Sequence, residues 1–373
     1  MLHIDLPTRA EIEALANHRG AAAVSIYLST SPLPQASNGD RIELKNLAKA
    51  AIAEMEQSGT DKRDVRAIED SVEALIGDDD FWADQANSLA IFATPQSIRT
   101  FRLGNKLANT IEVSDRFLIK PILRAVTFPH NAYVLAISMG AVRLIEVSAD
   151  LPPHEVSVPS LPDGAADAAG RSSHIERKGN MASGESTSES ALLIRYSRAV
   201  DHALRPVLAG HTRPLIIAAA EPMASIFRSV CSYPHVADEV MPGTADRTSD
   251  HEIAAAARAT LDRIYSSEIT AFGEVFSSRS TQDRATSDLG RAARAATFGA
   301  VETLIVDMDA EVPGFVAEDD GAITYAKAAD GVNYSVTDEI ARRALLSGAR
   351  VIAARREDVP GGHELAAVLR YPI

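Results

Sequence analysis

Apolar positions in the first third of this chain follow two periods. After "PTRAEIEAL", where Thr8 and Glu11 have the spacing of a helix capping box, "AAAVSIYLST" is a short apolar run rich in β-branched residues and predicts a buried strand. "RIELKNLAKAAIAEMEQ" and "DVRAIEDSVEALIG" place apolar residues at three- and four-residue steps and predict two helices, the second closed by Gly77. "SLAIFATPQSIRTFRL" predicts two strands around a Thr-Pro turn.

Beyond residue 127 the pattern changes. "NAYVLAISMGAVRLIEVSA" alternates with period two about Met139-Gly140 and predicts a hairpin with Tyr133, Leu135 and Ile137 on one face, ended by Pro152-Pro153. Residues 163–190 then lose the pattern and are expected to form a long polar loop. "SALLIRYSRAVDHALRPVL" resumes as a helix with Leu192, Tyr196, Ala199, Ala203 and Val207 inward and Arg195, Arg198, His202 and Arg205 along one stripe, with a bend or restart at Pro206. "RPLIIAAA" predicts a parallel strand, "EPMASIFRSV" a helix, and the stretch from Ser249 one long helix or two broken near Gly273. In the last third, helix, glycine and strand recur twice, at Gly299 and Gly348. Ser335 and Asp338 have capping-box spacing, and a three-layer domain with a mainly parallel sheet is expected. The fold class is α/β with mixed α+β character, in three domains: 1–127, 128–283 and 284–373.

Composition narrows the function. A net charge of −14 disfavours general nucleic-acid binding, so any RNA contact requires a local basic patch. Cys231 is the lone cysteine, which excludes intrachain disulfides and fits a cytoplasmic location. No apolar run is long enough for a membrane span. His154-Glu155, His251-Glu252 and His363-Glu364 each lack the second histidine one turn later that a zinc protease needs. Phosphate-binding glycine loops are absent, and "GESTS" lacks the second glycine of a nucleophile elbow. Asp307 and Asp309 end a strand as in aspartate-nucleophile phosphatases, but Glu311 and the missing downstream lysine–acid cluster make a metal-dependent phosphohydrolase the weakest reading. No metal and no small-molecule cofactor are expected.

The basic residues gather around the polar segment: Arg171, His174, Arg177 and Lys178 within it, then Arg195, Arg198, His202 and Arg205 on the following helix. Arginine matches phosphate geometry, and a segment that orders on binding suits RNA. Together with "VSIYLST", "DFWADQANSLAIFATP", "DRFLIKPIL", "YVLAISMGAVRLIEV", "YSRAVDHALRPVL", "RPLIIAAAEPMASIFRSV", "MPGTADRTSDHEIAAAA", "FGAVETLIVD", "LLSGARVIAA" and "LAAVLRYPI", this order of elements resembles the bacterial archaeo-eukaryotic release factor family. These are bacterial relatives of the archaeal and eukaryotic class I peptide release factor and of the ribosome-rescue protein Pelota. The resemblance implies that residues 128–283 and 284–373 correspond to the middle and C-terminal domains of release factors. It also implies a ribosome or tRNA partner and a protein partner at the C-terminal domain. The family's hydrolytic Gly-Gly-Gln has no counterpart in 163–190; Gly184-Glu185 stands nearest, as a candidate loop tip. The resemblance therefore implies a ribosome-associated factor without unaided peptidyl-tRNA ester hydrolysis, or a non-catalytic protein-binding scaffold of the same fold. Residues 1–126 have no match to the family's codon-reading domain, so stop-codon recognition is not expected.

Overall fold

The computed structural model describes the chain except residues 1–3, 128, 130, 150, 173–184, 242–247 and 328–331, and the side chains of 34, 169–172 and 185–189. It divides into two compact units: Met1–Pro129 with Glu268–Ile373, and His130–Ser267. The segments on either side of the middle region thus belong to one unit.

The first unit begins with α1 (Arg9–Asn17), β1 (Ala23–Ser29), α2 (Ser37–Gln57), α3 (Lys62–Ile76), α4 (Asp79–Ala83), β2 (Ser88–Thr94), β3 (Ser97–Leu103), β4 (Thr110–Ser114) and α5 (Lys120–Thr127). The Thr8–Glu11 capping box forms at the head of α1. The four strands make an antiparallel sheet in the order β3-β2-β1-β4. Strand β1 lacks alternation because both its faces are covered. Val24, Ile26 and Leu28 pack with Leu44, Met55, Ile68 and Val72 of α2 and α3. Tyr27, with Phe92 and Phe101, joins a core that also holds Leu15 and Ile122.

The second unit carries β5 (Asn131–Ile137), β6 (Val142–Ser148), β7 (His154–Val156), α6 (Ala165–Ser172), α7 (Glu185–Leu208), β8 (Leu215–Ala218), α8 (Met223–Val230), β9 (Val236–Met241) and most of α9 (Asp250–Ser280). Its sheet runs β7-β6-β5-β8-β9. The β5–β6 hairpin is antiparallel, while β8 pairs in parallel with β5 and β9. The hairpin pairing ends at Ser148, before the proline pair, and beyond it the chain re-enters as β7 against β6. Odd positions of β5 (Tyr133, Leu135, Ile137) face α7 and α8, and even ones (Ala132, Val134, Ala136) face Ile253, Ala257 and Leu261 of α9. This side-chain period of two, applied to a sheet covered on both sides, yields three layers. Helix α9 is continuous through Gly273, and α7 continues through Pro206.

The chain returns to the first unit with β10 (Ala285–Thr286), α10 (Leu289–Thr297), β11 (Val301–Asp307), β12 (Pro313–Val316), β13 (Ile323–Tyr325), β14 (Tyr334–Ser335), α11 (Val336–Leu346), β15 (Arg350–Ala354) and β16 (Leu365–Leu369). Gly299 and Gly348 close α10 and α11 at φ +67° and +79°, in the left-handed region their positions require. The sheet order is β10-β16-β11-β15, and only β11–β15 is parallel. The mainly parallel sheet expected from helix–strand alternation is therefore mixed, because β16 returns antiparallel between β10 and β11. Ala293, Ala296, Leu304, Ile340 and Ala344 share one core with Leu15, Tyr27, Phe92 and Ile122 of the amino-terminal segment.

Candidate functional site

Helix α7 owes its place to a stripe of Leu193, Tyr196, Val200, Ala203, Leu204 and Leu208, all buried against the sheet. The stripe is centred about one residue from the sequence expectation: Leu192, Ala199 and Val207 flank it, half-buried. Arg195, Arg198, His202 and Arg205 are exposed on the opposite side, as the helical period requires. Between Ser190 and Leu208 the one carboxylate is Asp201, and it points inward, 3% exposed. The solvent face of this stretch carries cations and no acid.

Asp201 was not legible as a special residue. It accepts hydrogen bonds from the Ser232 backbone N–H (2.7 Å) and Oγ (2.9 Å), and from Arg205 Nη2 (2.7 Å) and Nε (3.1 Å). Burial alone would raise its pKa; the Ser232 and Arg205 contacts overcome this and hold the carboxyl below its ordinary value. The carboxylate latches α7 to the segment after α8 and engages Arg205.

The polar segment begins on a fixed base. Ala165 N–H donates to the Met139 carbonyl at 2.9 Å, and Ala165 and Ala168 are buried. At Gly164 a Cβ would lie 2.9 Å from the carbonyl oxygens of Met139 and Gly140, so the backbone approaches the hairpin turn too closely for a side chain. The expected 163–190 loop is shorter than the sequence pattern implied, since 165–172 form α6 and α7 begins at Glu185. Alanines spaced for burial rather than large apolar residues make α6, which is why pattern reading passed over it. Of the predicted contacts, His174, Arg177, Lys178 and Gly184 lie outside the described residues, as do the side chains of Arg171 and Glu185.

The Asp307–Asp309 pair is occupied structurally. Asp307 is 3% exposed, and its Oδ1 accepts the Asp309 backbone N–H at 3.0 Å. Among the described residues no group of three or more His, Cys, Asp or Glu side chains is arranged to hold a metal ion, and no described helix is long and apolar enough to cross a membrane.

The first unit holds a buried ionic cluster that the sequence hid by dividing it between distant segments. Glu339 of α11, fully buried, meets Arg342 (2.5 and 2.6 Å), Arg343 (2.6 Å), Arg116 (2.6 Å) and Arg19 (3.4 Å). Arg116 Nη1 approaches as an ion pair rather than as an aligned hydrogen bond; its Nε and Nη2 bind Asp115 at 2.7 and 3.0 Å, and it stacks 3.7 Å over Tyr334. Burial would raise the Glu339 pKa, but Arg342, Arg116 and Arg343 pull it down to about 2. The expected capping box at Ser335 and Asp338 does not form: Ser335 makes no side-chain cap bond. Asp338 instead accepts the backbone N–H groups of Ile119 (3.0 Å) and Lys120 (2.7 Å), capping α5 from across the core.

A five-stranded sheet with helices on both faces, and a polar segment leading into α7, make up the α/β domain of the second unit. Residues 129–267 match the model of bacterial archaeo-eukaryotic release factor family 11. Over that stretch the resemblance read from the sequence is shown. Among solved structures, the chain is similar to an archaeal translation termination factor (14% identity, 98% of this chain and 99% of that one, TM-score 0.25). It is also similar to archaeal Pelota in a model of the ribosome-bound protein with ABCE1 (11% identity, 99% and 96%, TM-score 0.41). A third is S. cerevisiae Dom34, a translation termination-like factor (11% identity, 77% and 80%, TM-score 0.37). At these TM-scores no residue of one chain is placed on another. No curated protein matches the chain.

Proposed function

We propose that this protein is a cytoplasmic, ribosome-associated translation factor that meets tRNA or rRNA phosphates through the outward face of α7, with Arg171, His174, Arg177 and Lys178 as further contacts. One observation carries the reading: in a chain of net charge −14, the exposed face of α7 presents Arg195, Arg198 and His202 with no carboxylate between Ser190 and Leu208 on the same side. An acidic protein approaches a polyanion only where its own acids are turned away. The match of residues 129–267 to a release-factor family supports the ribosome as the source of that polyanion. Without Gly-Gly-Gln, binding rather than ester hydrolysis is the activity proposed.

The test is sucrose-gradient co-sedimentation with ribosomes over a salt series. Wild type is expected to co-sediment at 50 mM salt and to dissociate as salt rises, with a logarithmic slope of about 0.7–0.9 per phosphate contact. Arg195→Glu with Arg198→Glu should weaken binding and lower the slope by about 2. Absence of the wild type from ribosomal fractions at low salt, or an unchanged slope in the double variant, defeats the proposal.

A further inference from the structure

Strand β4 ends its sheet. It pairs with β1 from Ala23↔Ser114 to Tyr27↔Thr110, and its other edge has no strand partner among the described residues. Natural edges are blunted by proline, bulges or repeated charge. "TIEVS" has a regular register, no proline, and Glu112 as its one charge. Thr110, Ile111 and Glu112 line a cleft of about 990 Å³ within the first unit, at the upper end of the range for ligand sites. Helix α2 forms one wall, and α5 and the β11–β12 connection form others.

The cleft's charge favours one class of occupant. Its carboxylates are Glu54, Glu112, Asp309 and Glu311, and its bases are Lys106, Lys120 and Arg124. The Lys120 ammonium is buried and committed to the Ala310 carbonyl and Thr337 Oγ1, with Asp338 beside it. Four carboxylates therefore stand against Lys106 and Arg124. Glu112 is half-buried, on the sheet face that also bears Tyr27, and has no hydrogen bond or ion pair among the described residues. Burial, then Asp338, Glu311 and Glu54, push its pKa to about 8 against the pull of Lys120.

We propose that the open edge of β4 docks an extended basic peptide segment, whose backbone adds a strand to the sheet while its lysine or arginine side chains reach Glu112 and the rim acids of the cleft. Main-chain hydrogen bonds along an edge supply affinity, and alternate side chains in the adjoining cleft supply selectivity. A cation beside Glu112 favours its ionised form, so docking releases a proton and tightens as pH rises through about 8.

The probes are capped octapeptides of alternating lysine and valine, the same sequence with alternate amides N-methylated, a glutamate–valine counterpart, and spermidine. They are titrated calorimetrically into the full chain, with hydrogen exchange read at Thr110–Ser114. The lysine–valine peptide is expected to bind, to protect those amides, and to gain several-fold in affinity from pH 6.5 to 9. N-methylation should cost at least tenfold. Glu112→Gln, near-isosteric and checked for folding by Trp82 fluorescence, should weaken binding and flatten the pH dependence, and Glu311→Gln should weaken it without flattening. Equal binding of the glutamate peptide, of the N-methylated peptide or of spermidine overturns the proposal. So does absence of binding at millimolar peptide.

Discussion

Replacing Glu339 by glutamine keeps the side chain's shape and removes the charge on which four arginines converge. Its carboxyl sits at about 2 instead of the ordinary 4.5; at 1.36 kcal/mol per pH unit this corresponds to about 3 kcal/mol of stabilisation by its surroundings. The loss in Glu339→Gln should be of that order or larger, about 3–5 kcal/mol, because the variant leaves Arg19, Arg116, Arg342 and Arg343 with Asp115 and the exposed Glu318 as counter-charges. The sign with pH follows from the depressed folded-state pKa. The stabilisation is complete above about 4.5 and is lost as pH falls through about 2, so the difference between wild type and variant must shrink over that window. Urea unfolding followed by fluorescence of Trp82, the single tryptophan and 1% exposed in the first unit, reads this directly. With an m-value of roughly 3 kcal/mol/M, the midpoint at pH 7 should drop by about 1–1.7 M. A drop corresponding to less than about 1 kcal/mol, or a difference that persists undiminished at pH 2, would refute the assignment of the cluster as the clamp between the two segments of this unit.

Asp338→Ala removes the cap of α5 and the acid beside buried Lys120, and should lower the first unit's stability by at least about 2 kcal/mol in the same Trp82 assay. Gly164→Ala drives a Cβ into the Met139 and Gly140 carbonyls. It should cost about 1–3 kcal/mol, read as faster hydrogen exchange in α6 and the β5–β6 turn, while exchange in α9 is unchanged. Asp201→Asn weakens the Ser232 latch by about 1.5–3 kcal/mol, measured by calorimetric unfolding. Because it also releases Arg205, affinity for a single-stranded RNA probe should be equal or higher, and a lower affinity would count against the α7 face.

What could be read from the sequence was whatever depends on neighbours along the chain. The Thr8–Glu11 box, the β5–β6 hairpin, the glycine ends of α10 and α11 and the outward row of Arg195, Arg198 and His202 are all set by residues within a few positions of one another. What escaped was set by partners far away. Asp338 has the local spacing for a cap on its own helix but serves Ile119, more than two hundred residues earlier. Arg116 and Arg19 are unremarkable arginines until Glu339 arrives between them. The mixed sheet at the end of the chain had the same origin: β16 could have joined either edge, and local pattern does not say which.

The same division explains how an acidic chain presents a basic surface. In the second unit Arg143 pairs with Asp250, Arg213 with Glu146, Arg263 with Glu239 and Arg205 with Asp201, while Arg258 is spent on the carbonyls of Ala149 and Leu151. Each of these arginines has an acid or carbonyl within reach that neutralises it before solvent is met. Between Ser190 and Leu208 the outward face of α7 carries no carboxylate, since Asp201 is turned inward to Ser232 and Arg205. Local potential depends on which charges lack compensation within about 8–10 Å, the screening distance at physiological salt, and not on the total of −14. Adding acid to that face by Ala191→Glu, at an exposed position four residues before Arg195, lowers its positive potential and should weaken RNA binding without lowering stability. Loss of binding unaccompanied by a change in unfolding midpoint supports the basic-face account, whereas unchanged binding means that the face is only a solvated surface.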